Sequence, residues 1–141
     1  MGQQQLLLLV LGIVIVGIAV VAGITAFSEG KDKADRDAAA ADAMRLVSDV
    51  QAWKLKPTAF GGGADGTTSF ASVSLKAIGI TPTSGTDVYA STSGCFKLVS
   101  AATAQIEVWK AGSGCTGTGN QIATVSITGT SPSNLSWAYG S

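Results

Sequence analysis

The sequence predicts an α+β chain: a long N-terminal helix, apolar in its first half and amphipathic in its second, packed on a small antiparallel β-meander. Three observations carry this. Leu6 to Phe27 holds no charged side chain, the first acid being Glu29 and the first base Lys31. From Lys31 to Lys56 there is neither glycine nor proline, and alanine-rich, helix-favouring sequence fills the interval. From Val88 onward, short β-branched and aromatic runs alternate with turn-rich segments. A chain of 141 residues holds one small domain and at most one further element. The boundaries fall at an apolar half helix (1–27), an amphipathic half helix (28–56), a connecting loop (57–87) and a sheet region (88–141).

The apolar run is 22 residues long, or about 33 Å of helix, which matches a hydrocarbon core of about 30 Å. A cleavable secretory signal is the alternative. It normally has a basic start and a shorter apolar run, whereas Met1 to Gln5 carries no basic residue. Gly12, Gly17, Ala19, Ala22, Gly23 and Ala26 interrupt the Leu, Ile and Val side chains. Ala19 with Gly23, and Ala22 with Ala26, have the four-residue spacing that lets apolar helices approach closely. Membrane helices are also generally rich in Gly and Ala, so the spacing alone leaves both readings open.

In the second half, Ala39, Ala43, Leu46, Val50 and Trp53 recur at spacings of four, three, four and three, with Ala40 and Val47 alongside. These form the face expected to pack on a domain; Asp42, Arg45, Asp49 and Lys56 fall largely elsewhere. One continuous helix of about fifty residues, roughly 80 Å long, is the simplest reading. After Pro57, the Gly61-Gly62-Gly63 run reads as a flexible connector. Thr67 or Thr68 is then positioned to cap a short helix carrying Phe70, Ala71, Val73, Leu75 and Ile78, ended by Gly79 and kept from resuming by Pro82. Strands are expected at Cys95 to Ser100, Gln105 to Ala111 and Ile122 to Thr128, with a final short one near Ser136 to Tyr139. The third alternates most clearly, Ala123, Val125 and Ile127 facing one way and Thr124, Ser126 and Thr128 the other.

The two cysteines, Cys95 and Cys115, have no CxxC spacing. A hairpin around Ala101 to Ala104 brings Cys95 opposite the end of the next strand, near Lys110, and the Gly-rich stretch from Gly112 to Gly119 is able to fold back toward it. A disulfide is the favoured reading and implies an oxidising compartment; two separate buried thiols are the alternative.

Composition narrows the function. Nine basic and nine acidic side chains cancel, so no bulk positive field holds a nucleic acid or an anionic membrane surface. Histidine is absent, which removes the commonest general base and zinc ligand. Asp65 and Asp87 stand in polar loops without EF-hand spacing, and the ADGTT and GSGCTGTG segments lack GxxxxGK[ST]. No catalytic residues, metal or cofactor are expected, and the chain reads as a non-enzyme. Asn134-Leu135-Ser136 fits the N-glycosylation acceptor pattern.

With these residues in order, the chain resembles a type IV pilin. MGQQQLLLLVLGIVIVGIAVVAGITAF looks like the pilin N-terminal segment, and the amphipathic half helix, connecting loop, small sheet and C-terminal cysteines follow in the family's order. The resemblance implies a pilin-like fold and removal of a short leader after a glycine. It also implies N-methylation of the new first residue and bundling of the apolar half helices into a filament core. Its implied partners are other copies in a helical homopolymer, membrane lipid before assembly, and the pilus assembly machinery, with no specific nucleic acid. The implied location is an extracellular pilus, reached from the inner or plasma membrane. A secretion-system pseudopilin and a monomeric membrane-anchored binding domain are the alternatives.

Two positions depart from the family. Its usual glutamate at the fifth mature position is Gln5 here if Met1 is first; if Gln3 is first, Leu7 stands there. Its usual proline about twenty-two residues in is Ala22. Three glutamines are reminiscent of archaeal pilins, while the amphipathic half and the cysteines fit the bacterial type better. Because no acid precedes Glu29, about 40 Å along a helix from Met1, a buried terminal amine needs neutral compensation. The expectation is a polar cluster in which the amide oxygens of Gln3, Gln4 and especially Gln5 accept hydrogen bonds from the Met1 amine or from neighbouring amides, setting subunit register.

Overall fold

The computed structural model describes residues 2–117 and 119–140. The element order is one long helix, α1 (Gly2–Leu55), then five strands: β1 (Val88–Ala90), β2 (Gly94–Val99), β3 (Ala104–Lys110), β4 (Gln121–Ile127) and β5 (Leu135–Tyr139). Single 3-10 turns stand at Thr58–Phe60 and Pro132–Asn134. The fold is α+β, as expected. The chain divides into two compact units, Met1–Ala34 and Asp35–Ser141, so the change of character lies a few residues beyond the apolar run.

In the second unit the strands follow one another in the order β1-β2-β3-β4-β5, every pair antiparallel, which makes a meander. Strands β2 to β5 each begin one residue earlier than the sequence alone suggests, because Gly94, Ala104, Gln121 and Leu135 open the pairing despite modest strand preference. Cys95 accordingly faces Trp109, one residue short of Lys110. A bulge between Val108 and Trp109 moves the register so that Trp109 faces Gln121. Phe96, Leu98, Ala104, Ile106, Val108, Val125 and Ile127 are buried on one face of the sheet, in one cluster with Ala39, Ala43, Leu46, Val47, Val50 and Trp53 of α1. The five helix positions expected from periodicity are all in this core. Alanine at 39 and 43 keeps the helix close to the sheet. At Gly94 a Cβ would stand 3.3 Å from that of Ala39 and 2.9 Å from the Trp109 carbonyl oxygen, so that approach requires glycine.

Two expectations for the connecting loop are corrected. The segment from Thr67 to Gly79 contains turns and no helix. Short-range bonds such as Val73 N–H to Phe70 C=O (3.1 Å) and Ile80 N–H to Leu75 C=O (2.9 Å) never repeat into a ladder. Serines compete for the backbone, Ser74 Oγ accepting from Ala77 N–H at 3.2 Å, and Phe70, Val73 and Leu75 enter the core separately. The glycine run, in turn, is no loose connector. Pro57 disfavours helical backbone at Lys56, and the chain then folds back over the helix end: Gly63 N–H donates to Trp53 C=O at 3.0 Å and Ala64 N–H to Lys56 C=O at 3.2 Å. Trp53 Nε1–H donates to Gly61 C=O at 3.0 Å. A Cβ on Gly62 would collide with the Lys56 carbonyl and one on Gly63 with the Trp53 ring, so both glycines are fitted to the helix cap.

Candidate functional site

The first unit has no core of its own. Its large apolar side chains are exposed from 51% at Val10 and Leu11 to 76% at Phe27, although each would gain by leaving water at about 25 cal/mol per Å². A contiguous apolar surface of this length marks a site of association. The helix is long and apolar enough to cross a membrane. Within it, Thr25 Oγ–H donates to Val21 C=O at 3.0 Å, which satisfies the hydroxyl inside the helix.

Gly12, Gly17 and Gly23 are helical, and a Cβ on any of them would meet nothing within 4 Å. No contact inside this chain asks for glycine there, while each costs up to about 1 kcal/mol against alanine. At 100° per residue Gly12, Ala19, Gly23 and Ala26 share one face of the helix, and Gly17 and Ala22 lie off it. Gln3, Gln4 and Gln5 are exposed in the first helical turns, which hold no acid. Met1 lies outside the described residues, so the expected cluster around its amine has no described geometry.

In the second unit Cys95 and Cys115 are joined by a disulfide with Cα atoms 5.4 Å apart. Asn134 ends the Pro132–Asn134 turn, and its carbonyl accepts from Thr128 N–H and Oγ–H, each at 3.0 Å. Its side chain lies over Gly129, where a Cβ would collide with it. Asp87 uses its carbonyl to hold Leu98 N–H at 2.8 Å. Among the described residues no three His, Cys, Asp or Glu side chains gather as a metal site would need.

One polar cluster is invisible in the periodicity. Lys54, only 6% exposed, donates from Nζ to Asp65 Oδ1 at 2.6 Å and to Ser69 C=O at 2.8 Å, and stands 5.9 Å from the Phe70 ring centre. Thr67 donates to the same Asp65 oxygen from its hydroxyl (2.8 Å) and its N–H (3.1 Å). The Lys54 ammonium, followed by the Thr67 bonds, holds the Asp65 carboxyl well below the usual carboxylate range. The signal for Lys54 is its place four residues beyond Val50 and seven beyond Val47 on the same face, which a lysine at a helix end conceals. Gln51 adds a second tie from α1, donating to Gly129 C=O at 3.0 Å. Asp42 makes a third, accepting from the hydroxyls of Ser91 and Ser93 in the β1–β2 turn.

Asp65→Ala is expected to destabilise the domain, since it strips a buried ammonium of its counter-ion, whereas Lys54→Met, which replaces charge by a similar apolar volume, stays within about 1 kcal/mol of wild type. Thermal unfolding checks the contrast. A depressed carboxyl contributes fully above its unfolded pKa of about 3.9 and loses that contribution as the pH falls toward its lower folded value. The difference between wild type and Asp65→Asn is therefore constant from pH 5 to 8 and shrinks below about pH 4.

No protein-family model matches the chain, and neither a curated protein nor a solved structure matches it.

Proposed function

We propose that this chain is a structural subunit of the type IV pilin kind, not an enzyme. In this reading, the segment from Leu6 to Phe27 is held in the inner or plasma membrane before assembly and then packs against the same segment of other copies in an extracellular filament. The observation that carries the reading is the exposed apolar helix of the first unit, alongside a second unit that buries a complete core without it. A membrane anchor needs only the apolar length. Glycines that no contact within the chain requires fit helix-on-helix packing, where small residues admit a neighbouring backbone. The disulfide fits a domain exposed to an oxidising compartment. The pilus assembly machinery is the implied cellular partner.

Electron microscopy of native material sheared from cells tests the proposal. Helical filaments made of this chain are expected. Filaments confined to a short periplasmic structure would mean a pseudopilin, and monomers alone in detergent would mean an anchored domain; either outcome overturns the reading. Gly23→Leu should lower filament yield at least tenfold while Val20→Leu, on the same helix, leaves it within about twofold. Equal yields would remove close packing at the small residues. Gln5→Leu should likewise stop assembly while membrane insertion stays normal, since it deletes the amide proposed to set register. With no buried carboxylate in the segment, subunit addition should change little between about pH 4 and 8.

A further inference from the structure

The two edges of the sheet are treated differently. At β1, Leu98 N–H donates to Asp87 C=O at 2.8 Å and Ser91 N–H to Gly94 C=O at 2.8 Å. These bonds fix the phase of the ladder: Tyr89 bonds to β2, while Val88 and Ala90 turn their main-chain groups outward. That edge is covered. Thr83 N–H (2.8 Å) and Ser84 N–H (3.4 Å) donate to Val88 C=O, and Ala90 N–H donates to Thr83 Oγ1 at 3.1 Å.

At β5 the phase is set by Thr128 N–H to Asn134 C=O (3.0 Å) and Gly140 N–H to Ile122 C=O (2.9 Å). Ser136 and Ala138 therefore bond to β4, and Leu135, Trp137 and Tyr139 direct their N–H and C=O groups away from it. Among the described residues no further strand lies beyond β5. The strand has no charge, no proline and no register irregularity, the devices by which edges are usually kept from pairing. Tyr139 is 77% exposed, with its ring 6.2 Å from that of Trp137.

We propose that β5 pairs antiparallel with β5 of a second copy, about a two-fold axis at Trp137. The covered β1 edge closes off head-to-tail sheet extension, which leaves like meeting like. The strand is self-complementary about its centre: Leu135 comes opposite Tyr139, Ser136 opposite Ala138 and Trp137 opposite itself, with no charge to repel its own copy. The three residues that face outward are the three that this register bonds, each facing pair exchanging both main-chain hydrogen bonds. The pairing does not depend on the assembly reading. Copies within a polar filament all point the same way, so a two-fold contact joins unassembled subunits or separate filaments.

The test is amide hydrogen exchange on the full chain in detergent micelles at low and high protein-to-detergent ratio. The amides of Leu135, Trp137 and Tyr139 are expected to gain at least tenfold protection at the high ratio. Association through α1 alone leaves them unprotected, so equal exchange at both ratios, fast or slow, overturns the proposal. The register has its own check. Ser136→Lys with Ala138→Lys puts like charges opposite each other across the axis and should abolish the gain, while Ser136→Lys with Ala138→Glu puts opposite charges there and should keep it. Identical behaviour of the two double variants, each shown by circular dichroism to remain folded, would refute the pairing.

Discussion

Replacing Phe70 with alanine is expected to cost about 3 to 5 kcal/mol, the range for deleting a buried aromatic ring. Phe70 is fully buried although it sits in a loop, and its N–H donates to Ala102 C=O at 3.3 Å, which ties the connecting segment to the β2–β3 turn. Its ring is part of the hydrophobic core and stands 5.9 Å from the Lys54 ammonium, so the variant loses packing and also removes a cation–π neighbour of a buried charge. Urea unfolding of the full chain in detergent, followed by tryptophan fluorescence, measures the cost. A loss below 1 kcal/mol would mean that the connecting segment is not part of the cooperative unit.

The second large effect belongs to the disulfide. Cys95 and Cys115 are 20 residues apart, and opening a loop of that size by Cys115→Ser should remove about 3 kcal/mol by the chain-entropy model. Cys95 is on β2, whereas Cys115 lies beyond the end of β3, so the bond pins the Gly112 to Gly117 segment beside strands that are otherwise fully paired. The expected outcome is faster proteolysis in that segment, with the α1 contacts at Ala39 to Trp53 retained. Peptide mapping without reductant, before and after limited digestion, reads both. Free thiols in native material would remove the bond and the inference of an oxidising compartment.

What the residues disclose in advance depends on whether a physical signal repeats. The helix face from Ala39 to Trp53 is legible because burial recurs with the helical period, and β4 because Ala123, Val125 and Ile127 alternate with Thr124 and Ser126. Phe70, Val73 and Leu75 mislead because their spacing passes for helical while each is brought to the core by its own turn. Gly61 to Gly63 reads as slack because glycine permits freedom, and the opposite meaning, a close fit on Trp53, exists only once the indole is placed. Lys54 is hidden for a similar reason: its partner Asp65 lies beyond a proline and three glycines, where no local pattern connects them. The apolar half of α1 is the most legible part, since exposure of that composition needs no tertiary information to be noticed.

The meander also determines the order in which this molecule can be made. Every strand pairs with the strand next to it in sequence, so each pairing closes a short loop at small entropic cost, and the sheet belongs to the low-separation class of β topologies that fold quickly. The core residues contributed by the chain begin at Ala39. During synthesis the apolar segment therefore emerges before the strands, and no step of sheet formation has to wait for it or call it back. The second unit can be completed by adding one hairpin at a time, without a stage at which a long, unpaired edge must search for a distant partner.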